Sequence, residues 1–584
     1  DLAGLPLEGL ERIEVYRGQV PALLGGQAIG GAVHLVSRTP DRPGGVSSVR
    51  AGHGSFGTWD AALGHAGGTA RLRYRLSLSL RRTEGDFPYH DDNGTPLTSA
   101  DDRVAQRRNN DVSRLGLLGR LAWRMGGWNL AAFADGGYRE AGVPGTGSNQ
   151  AGSARLESER ALLDLAGSRQ GTVDVQGRSY VLLQRERFAD PHGELQRPGA
   201  APSSSESLSF TGGGRLSAGF DLPATRVELG GELRQEVLSS AADSEAEAAL
   251  AASTAAGWEG EHSRLSAALG LEPLVAAWGG LLRFGPALRL EHLRSRSSAG
   301  GDGEAGETLV SPRFGLQLGT GLWKVKANAG RYHRAPTFSE LFGGQGTMWG
   351  NPELLAEEGD NLDLGATLEL GLPGPLGPPG MLGVEAVVFR RQVRQMIVWM
   401  QTSQEMIQAA NLGEARLIGA ELSLQAGLPW GFGWRSAYSW LDPENLSPEP
   451  AYHGKQLPLR PVHDLDLGLS WSTAPAEPGQ ALLSCEYRVT VVSGSYLDPA
   501  NLHPLPLRHL HSATLWVRPW RRNGPQLLVE GTNLLDRRVE QLTLTHRGPG
   551  DPAQVAAPVV DFIGYPLPGR SLFASLLWSL EEQR

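Results

Sequence analysis

Cysteine is almost absent from this sequence, because Cys485 is the only one in 584 residues. A single thiol excludes an internal framework of disulfide bonds, and it excludes multi-cysteine zinc and iron–sulfur sites. An excess of positive charge is absent too, since 54 Lys and Arg against 63 Asp and Glu give a formal net charge of −9. Nucleic acid is therefore not an expected partner.

Long apolar runs and the common catalytic motifs are also absent. No apolar stretch approaches the ~18–20 uncharged residues that a membrane-spanning helix needs. The sequence has no His-Glu-x-x-His, no Gly-x-Ser-x-Gly and no glycine-rich loop ending in Lys-Ser or Lys-Thr. Since nothing assembles a nucleophile with its base, we predict that the chain is not an enzyme and uses no cofactor.

What the sequence does have is glycine and a period of two. Glycine accounts for 78 of the 584 residues, a share nearly twice the usual ~7%. Apolar and polar residues alternate along Leu72–Leu80, Leu362–Leu370 and Asp464–Trp471. Segments of ~9–11 residues with one apolar and one polar face have the length of a strand that crosses a bilayer. A soluble sandwich or propeller is the alternative, but its strands average nearer five or six residues.

The links between these segments alternate in length beyond residue 310. Short links such as Thr320–Gly321 and Gly427–Gly433 alternate with long ones such as Ala335–Asp360 and Asp442–His463. Outer-membrane barrels have short periplasmic turns and longer extracellular loops, so this parity assigns each link to a side. We therefore predict an all-β fold, with an antiparallel transmembrane β-barrel of about 22 strands over residues 45–584. Lumens of that size are plugged rather than open, so a plug should precede the barrel.

Two motifs suggest other chemistry but have simpler explanations. Gly52-x-Gly54-x-x-Gly57 matches a dinucleotide fingerprint, yet an alternating strand region follows it where that fold needs a helix. His509 and His511 have a spacing that allows metal binding from one strand face, with His503 nearby. We interpret the glycines as part of the first barrel strand and the histidines as wall residues, and we predict no metal site.

Residues 8–38 carry a family resemblance. Their sequence, EGLERIEVYRGQVPALLGGQAIGGAVHLVSR, resembles the last part of the plug domain of TonB-dependent outer-membrane receptors. Tyr332–Leu354, Asn411–Leu422 and Gly564–Leu580 resemble three further segments of that family, in the order found in its cobalamin- and siderophore-receptor branch. The resemblance implies that residues 1–44 are the C-terminal remnant of a lumenal plug. It also implies a longer protein, whose earlier plug residues and TonB box this sequence lacks.

The same resemblance implies a function and a set of partners. We expect active import of a large, scarce nutrient, a metal chelate of the ferric-siderophore class or a corrinoid such as cobalamin, across the outer membrane of a Gram-negative bacterium. The expected partners are outer-membrane lipid and, if the missing N-terminus exists, the TonB energy-coupling complex; the chain is expected to be a monomer. A passive channel and a surface receptor or adhesin without energised transport remain as alternatives.

Lumenal charges give the first set of candidate site residues. Alternation places Asp363 and Glu421 on the polar, lumenal faces of their strands. In siderophore receptors, glutamates at the matching positions pair with plug arginines at positions that match Arg12 and Arg17. We therefore predict that Arg12, Arg17 or both pair with Asp363 and Glu421; solvated lumenal charges are the alternative.

Aromatic residues of two extracellular links give the second set. Phe338, Phe342, Met348 and Trp349 lie in Ala335–Asp360, and Trp399 lies on the next link. Large ligands are held by aromatic side chains with a few polar groups, so we predict that these residues contact the substrate. Packing of the loops on themselves, with an interfacial aromatic girdle, is the alternative.

Overall fold

The chain is folded almost entirely as strands. The computed structural model describes residues 10–16, 20–23, 25, 30–37, 44–95, 98–195, 202–242, 260–298, 303–319, 321–345, 348–372, 380–401, 407–473, 481–520, 524–544, 553–562 and 564–581. The first strands in chain order are β1 (Leu10–Tyr16), β2 (Ala32–Ser37), β3 (Gly44–Gly54), β4 (Thr58–Gly68), β5 (Leu72–Thr83), β6 (Pro88–Asp91), β7 (Arg103–Gln106), β8 (Val112–Met125), β9 (Trp128–Gly142), β10 (Arg155–Arg169), β11 (Val173–Asp190), β12 (Ser203–Leu222), β13 (Thr225–Ala242), β14 (Gly260–Ala277), β15 (Leu282–Ser297), β16 (Gly303–Leu318) and β17 (Trp323–Arg334).

The second half of the chain contains one short helix among its strands. The helix is α1 (Phe338–Phe342), and the strands are β18 (Gly344–Gln345), β19 (Met348–Trp349), β20 (Glu357–Leu372), β21 (Gly380–Arg394), β22 (Ile397–Gln401), β23 (Ile407–Asn411), β24 (Glu414–Gly427), β25 (Phe432–Asn445), β26 (His463–Ser472), β27 (Leu483–Ser493), β28 (Ser495–Tyr496), β29 (Pro504–Leu505), β30 (Arg508–Val517), β31 (Gly524–Thr532), β32 (Val539–Leu544), β33 (Ala553–Pro558), β34 (Val560–Phe562), β35 (Tyr565–Pro566) and β36 (Ser571–Glu581). Single 3₁₀ turns occur at Trp278–Gly280 and Pro429–Gly431. None of the described helices is long and apolar enough to cross a membrane.

Twenty-two of the strands form one closed antiparallel barrel, as the alternation predicts. Each barrel strand pairs with its sequence neighbours in the sheet, and β36 closes the barrel by pairing with both β31 and β3. The other strands belong to the N-terminal hairpin or to small sheets in the links. Closure leaves no free sheet edge, which is the condition for a sheet to stand in a bilayer.

The barrel is apolar outside and polar inside. Along β15, Leu288 and Leu290 are exposed, whereas Arg289 and Glu291, which alternate with them, are 4% and 5% exposed. Leu233, Leu269 and Leu362 are likewise about three-fifths exposed, at 61%, 63% and 59%. An outer surface of leucine is stable against hydrocarbon and costly against water, so the barrel wall is built for lipid.

The two ends of the barrel differ as the link lengths predict. The shortest links join β8 to β9 through Gly126 and Gly127, and β12 to β13 through Pro223 and Ala224. The longer links at the opposite end carry α1 and the small accessory sheets. The short links therefore mark the periplasmic end and the long ones the extracellular end. Two outer links are exceptions, since only residues 55–57 join β3 to β4 and only residues 298–302 join β15 to β16.

Two extracellular links share one sheet. Its strand order is β18-β19-β23-β22, and β19 and β23 are parallel, with Met348 beside Ile407 and Trp349 beside Gln408. The link between β17 and β20 is thereby joined to the link between β21 and β24. The two links form one folded unit above the barrel.

Candidate functional site

The N-terminal segment touches the inner wall of the barrel through its backbone. Ala22 and Val20 are 0% and 1% exposed, and their carbonyl oxygens point at arginines of the wall. Arg289 Nη1 donates to Ala22 O at 3.2 Å, and Arg313 Nη1 donates to Val20 O at 2.5 Å. These arginines face inward because the residues on either side of them face outward: Leu288 and Leu290 on β15, and Pro312 and Phe314 on β16.

Two further contacts complete this attachment. Arg215 on β12 donates to the carbonyl oxygen of Leu23. In the opposite sense, Ala22 N donates to Glu272 Oε2 at 3.0 Å. We call Arg215, Arg289 and Arg313 the arginine clamp. Its hydrogen bonds are directed at peptide groups, so they hold the backbone whatever side chains it carries.

The arginine clamp is itself held in place by neighbouring wall residues. Arg289 forms ion pairs with Glu232 and Glu291, each at 3.1 Å, and its side chain is 5% exposed. The guanidinium carbon of Arg313 lies 4.4 Å from the centre of the Tyr332 ring. Removal of a partner from such a buried charge is costly, so the clamp is a fixed rather than an adaptable surface.

A pair of glycines makes room for one side chain of the segment. Gly230 on β13 lies directly opposite Gly270 on β14. A Cβ atom at either glycine would come within 2.6 Å or 2.8 Å of Leu23 Cδ2, respectively. The absence of side chains at these two positions allows Leu23 to lie against the wall.

The predicted partners of Arg12 are Asp363 and Glu421 of the barrel wall, but in the structure it pairs with other carboxylates. Arg12 Nε lies 2.7 Å from Glu14, and its Nη1 lies 3.1 Å from Glu11, so both partners are on its own strand. Asp363 accepts a hydrogen bond from Asn328 at 2.6 Å. Neighbouring glutamates on β1 thus satisfy the guanidinium of Arg12 in this structure, and the pairing with Asp363 and Glu421 stays a prediction. Arg17 lies outside the described residues, and its pairing stays a prediction.

Asp363 and Glu421 do face the lumen, as alternation predicts. Their neighbours Leu362 and Leu422 are exposed on the lipid side, at 59% and 40%. Arg391, on the strand between them, interacts electrostatically with both carboxylates. The barrel thus supplies a cation of its own for the position where a plug arginine was expected.

The predicted substrate-contact residues lie close together in the joined extracellular links. Phe338, Phe342 and Trp399 pack against a cluster of buried residues, Leu341, Leu354, Ile397 and Ala409. Trp349 lies in the same small sheet as Trp399 and is 7% exposed. The side chain of Met348 lies outside the described part of the chain. Packing accounts for much of the surface of these aromatic residues, and their contact with a substrate stays a prediction.

Strand β14 holds this unit from below. The His262 ring stacks on Phe342, with centroids 3.6 Å apart and planes 7° apart. Arg264 lies 5.1 Å from the centre of the Phe338 ring and donates to Pro336 O at 2.8 Å. The same strand therefore contacts both the N-terminal segment, through Glu272, and the outer links.

The helix α1 is closed by a capping box and an ion pair. Thr337 Oγ1 accepts from Glu340 N at 3.2 Å, and Thr337 N donates to Glu340 Oε2 at 2.8 Å. Arg334 lies 2.9 Å from the same carboxylate. Burial opposes ionisation of Glu340, but its contacts with Arg334 and Thr337 outweigh burial and lower its pKa.

A cavity of 1480 Å³ lies along the other side of the lumen. It reaches the extracellular rim at Ser55, Phe56 and Pro568. Three of its arginines, Arg81, Arg114 and Arg139, lie directly opposite one another on β5, β8 and β9. We call them the arginine row. Like charges in directly opposite positions destabilise a sheet, so the row is a cost that packing alone does not explain.

The histidines that suggested a metal site are engaged with each other. His509 Nδ1 and His511 Nε2 are 2.9 Å apart, and Tyr487 Oη lies 2.6 Å from His511 Nδ1. Within the part of the chain that the structure describes, no group of three or more His, Cys, Asp or Glu residues is arranged to hold a metal ion.

Sequence patterns identify none of the residues that hold the N-terminal segment. Arg215, Arg289 and Arg313 alternate with apolar residues like every other lumenal arginine, and they are 192 to 293 positions away from the atoms that they contact. The paired glycines carry no motif either. Only the register of β13 and β14 brings them together.

The closed barrel, its apolar outer face and its unequal ends define a β-barrel protein of the Gram-negative outer membrane. Residues 24–518 match the family model described as TonB dependent receptor-like, beta-barrel, and the chain belongs to this family. Members of this family are transporters rather than enzymes, which confirms the prediction that the chain is not an enzyme.

Known proteins with similar sequence or structure agree with this assignment. The vitamin B12 transporter BtuB of Photobacterium profundum is 23% identical over 518 residues, which is 86% of this chain and 72% of that protein. The structure of the copper transporter OprC is similar with a TM-score of 0.73, at 16% identity, over 99% of this chain and 86% of that one. The ferric enterobactin receptor PfeA of Pseudomonas aeruginosa, a mutant in complex with enterobactin, has a TM-score of 0.69 at 18% identity, over 99% and 87% of the two chains. At these identities the two structures support the fold alone.

Proposed function

We propose that this chain is the barrel, with the end of a lumenal plug, of a transporter that imports a large metal chelate or corrinoid by energised uptake. The observation that carries the proposal is the attachment of Val20, Ala22 and Leu23 to the inner wall by the arginine clamp. A plug that occupies the lumen is what separates a gated importer from an open channel. In this proposal residues 1–44 belong to such a plug, and TonB supplies the energy that rearranges it.

The lumenal cavity is where we propose that the substrate enters. Its 1480 Å³ exceeds the ~300–1,000 Å³ typical of sites for small ligands. It opens at the extracellular rim, close to the side from which a scarce nutrient arrives. A ferric siderophore or cobalamin is of the size that such a cavity takes, and the names of similar transporters support this substrate class.

The aromatic unit above the barrel has a second role in the proposal. Phe338, Phe342, Trp349 and Trp399, with Met348, form the rim that a substrate passes. Because Trp349 is buried and Phe342 is covered by His262, contact with these two rings requires a movement of the joined links. Phe338 and Trp399 are half-buried and reachable without it.

Direct binding and uptake test the proposal. The complete gene product is purified in detergent and titrated with cobalamin and with a panel of ferric siderophores, and uptake is followed in cells with and without a protonophore. We expect saturable binding of one member of the panel and uptake that the protonophore abolishes. Binding without uptake would favour a surface receptor, and protonophore-insensitive uptake would favour a passive channel; either result overturns energised import.

A further inference from the structure

Most outward-facing arginines near the extracellular end of the barrel have a carboxylate beside them. Arg185 lies 2.6 Å from Glu206, Arg331 lies 2.7 Å from Asp360, and Arg294 is paired with Glu304. Arg82, the penultimate residue of β5, is different. Its side chain is exposed and forms no hydrogen bond or ion pair with any residue that the structure describes. Its charge is therefore available to a partner outside the chain.

Two aromatic rings stand next to Arg82 on the same face. Trp59 lies directly opposite Arg82 across β4 and β5, and His53 lies directly opposite Trp59 across β3 and β4. The His53 and Trp59 rings are 4.3 Å apart, and Trp59 is 61% exposed. Tryptophan at the end of an outward face marks the membrane–water interface, so His53, Trp59 and Arg82 lie at the depth of the lipid headgroups.

An apolar groove of 740 Å³ begins at these three residues and runs along the outer face of the barrel. Small side chains from three adjacent strands form its floor: Ala51, Ala61 and Ala574. Leucines form its sides, among them Leu80 and Leu576. The volume lies within the ~300–1,000 Å³ of pockets that take a defined ligand. The groove faces hydrocarbon, so its natural content is an acyl chain.

We propose that this surface binds one acylated, phosphate-bearing lipid of the outer leaflet. We call it the rim groove, formed by Ala51, His53, Trp59, Ala61, Arg82 and Leu576. Arg82 and His53 donate hydrogen bonds to the phosphate, and an acyl chain fills the groove below. Guanidinium–phosphate contacts are charge-assisted and strong, whereas an arginine near the interface destabilises the barrel little. The nearest acid along the chain, Glu84, lies against Gly57 in the turn that follows β3.

Native mass spectrometry of the purified protein in detergent tests this site. The probes are dimyristoyl phosphatidic acid and dimyristoylglycerol, which differ only in the phosphate. We expect one phosphatidic acid to be retained about tenfold more tightly than the diacylglycerol, because only the phosphate accepts the charged hydrogen bonds. Arg82→Gln should remove that difference. Ala61→Phe, which fills the groove floor, should weaken retention of both lipids.

Arg294→Gln is the matched control. Arg294 is also an outward-facing arginine near the extracellular end, but Glu304 neutralises it. This variant should retain phosphatidic acid as the unaltered protein does, and all variants should show the heat-dependent gel shift of a folded barrel. Equal losses for Arg82→Gln and Arg294→Gln, or equal retention of the two lipids by the unaltered protein, would overturn the proposal.

Discussion

Two walls of the same lumen use arginine in opposite ways. The arginine clamp on β12, β15 and β16 donates hydrogen bonds to carbonyl oxygens of residues 20–23. On β5, β8 and β9, the arginine row faces a cavity of 1480 Å³, and the charges of Arg81 and Arg139 both act on Arg114. The arginines of the first wall bind the N-terminal segment of the same chain. The second wall lines the cavity where, in the proposed function, a substrate enters.

The difference teaches that a lumenal arginine has no fixed meaning. Both sets lie in antiparallel register and face inward. What separates them, among the residues that the structure describes, is that only the first set donates hydrogen bonds to the carbonyl groups of Val20, Ala22 and Leu23. Variants of each wall can therefore break or sharpen the comparison.

Loss of the arginine clamp should have the largest effect. Arg289→Ala combined with Arg313→Ala leaves the carbonyl groups of Val20 and Ala22 buried without these donors, at about 1–3 kcal/mol for each group. We expect hydrogen exchange of the amides of residues 20–25 to accelerate by at least about tenfold, while exchange in barrel strands away from these arginines and their ion pairs, such as β26 and β27, stays unchanged.

The control for the clamp is Arg488→Ala on the cavity side. Arg488 faces the cavity and pairs with Asp466 at 2.6 Å, far from the N-terminal segment. Its loss should leave exchange of residues 20–25 as it was. If both variants accelerate exchange equally, the two walls do not differ in the way described.

Filling the glycine pair should have the next largest effect. Gly270→Leu places a side chain where Leu23 lies and close to the Ala22 backbone, whose carbonyl oxygen is 3.6 Å from the position of a Cβ atom. Overpacking costs ~1–3 kcal/mol, so we expect exchange of residues 20–25 to rise about tenfold.

Gly383→Leu is the matched substitution on another strand. A Cβ atom at Gly383 meets only the carbonyl oxygen of Gln425, at 3.9 Å. This variant should leave the N-terminal segment protected. Protection that survives Gly270→Leu would show that Leu23 does not depend on the glycine pair.

Strand β14, which lies between strands that carry the arginine clamp, also contacts α1. Acid should loosen α1, but by a smaller amount. The pKa of Glu340 is lowered in the folded chain, so its contacts stabilise α1 fully above the ordinary value of 4.5 and are lost as the pH falls below it. We expect hydrogen exchange of residues 337–342, corrected for its intrinsic pH dependence, to rise a few-fold between pH 6 and pH 3, on the order of the loss of one cap.

Glu340→Gln should remove this pH dependence, and Glu353→Gln should not. Glu353 is an exposed acid of the same link, away from the capping box. An α1 that loosens equally with and without Glu340 would assign the pH effect to another group.

The smallest expected effect lies in the arginine row. Arg114→Gln removes the middle charge of three, which should stabilise the barrel by about 0.2–1 kcal/mol because like charges no longer face each other. The measurement is the urea midpoint of barrel unfolding in lipid vesicles. A lower midpoint would mean that Arg114 supports the wall, and it would remove the contrast between the two walls.

The architecture follows from the sequence because its signals are local. Alternation along Leu362–Leu370 requires only a strand with a lipid face and a lumenal face, and the parity of link lengths orients the barrel. The lumenal positions of Asp363 and Glu421 follow from the same rule.

The contacts inside the lumen do not follow, because they join residues far apart in the chain. Arg12 is satisfied by Glu14 two positions away, an option that a family pattern does not weigh. Trp349 is buried by the parallel pairing of β19 with β23, which joins two separate links. Strand pairing of this kind depends on the whole barrel, so neither outcome can be read from the local sequence.

The arginine clamp has a consequence for how this protein can evolve. Its hydrogen bonds are made to peptide groups, which every residue supplies, so the clamp does not select the chemistry of the side chains that it holds. The space around them does limit their size, because Val20 and Ala22 are buried and Leu23 lies against the glycine pair. A family in which the wall arginines and the glycine pair persist can therefore exchange these residues for others of similar size and still keep the segment in the lumen.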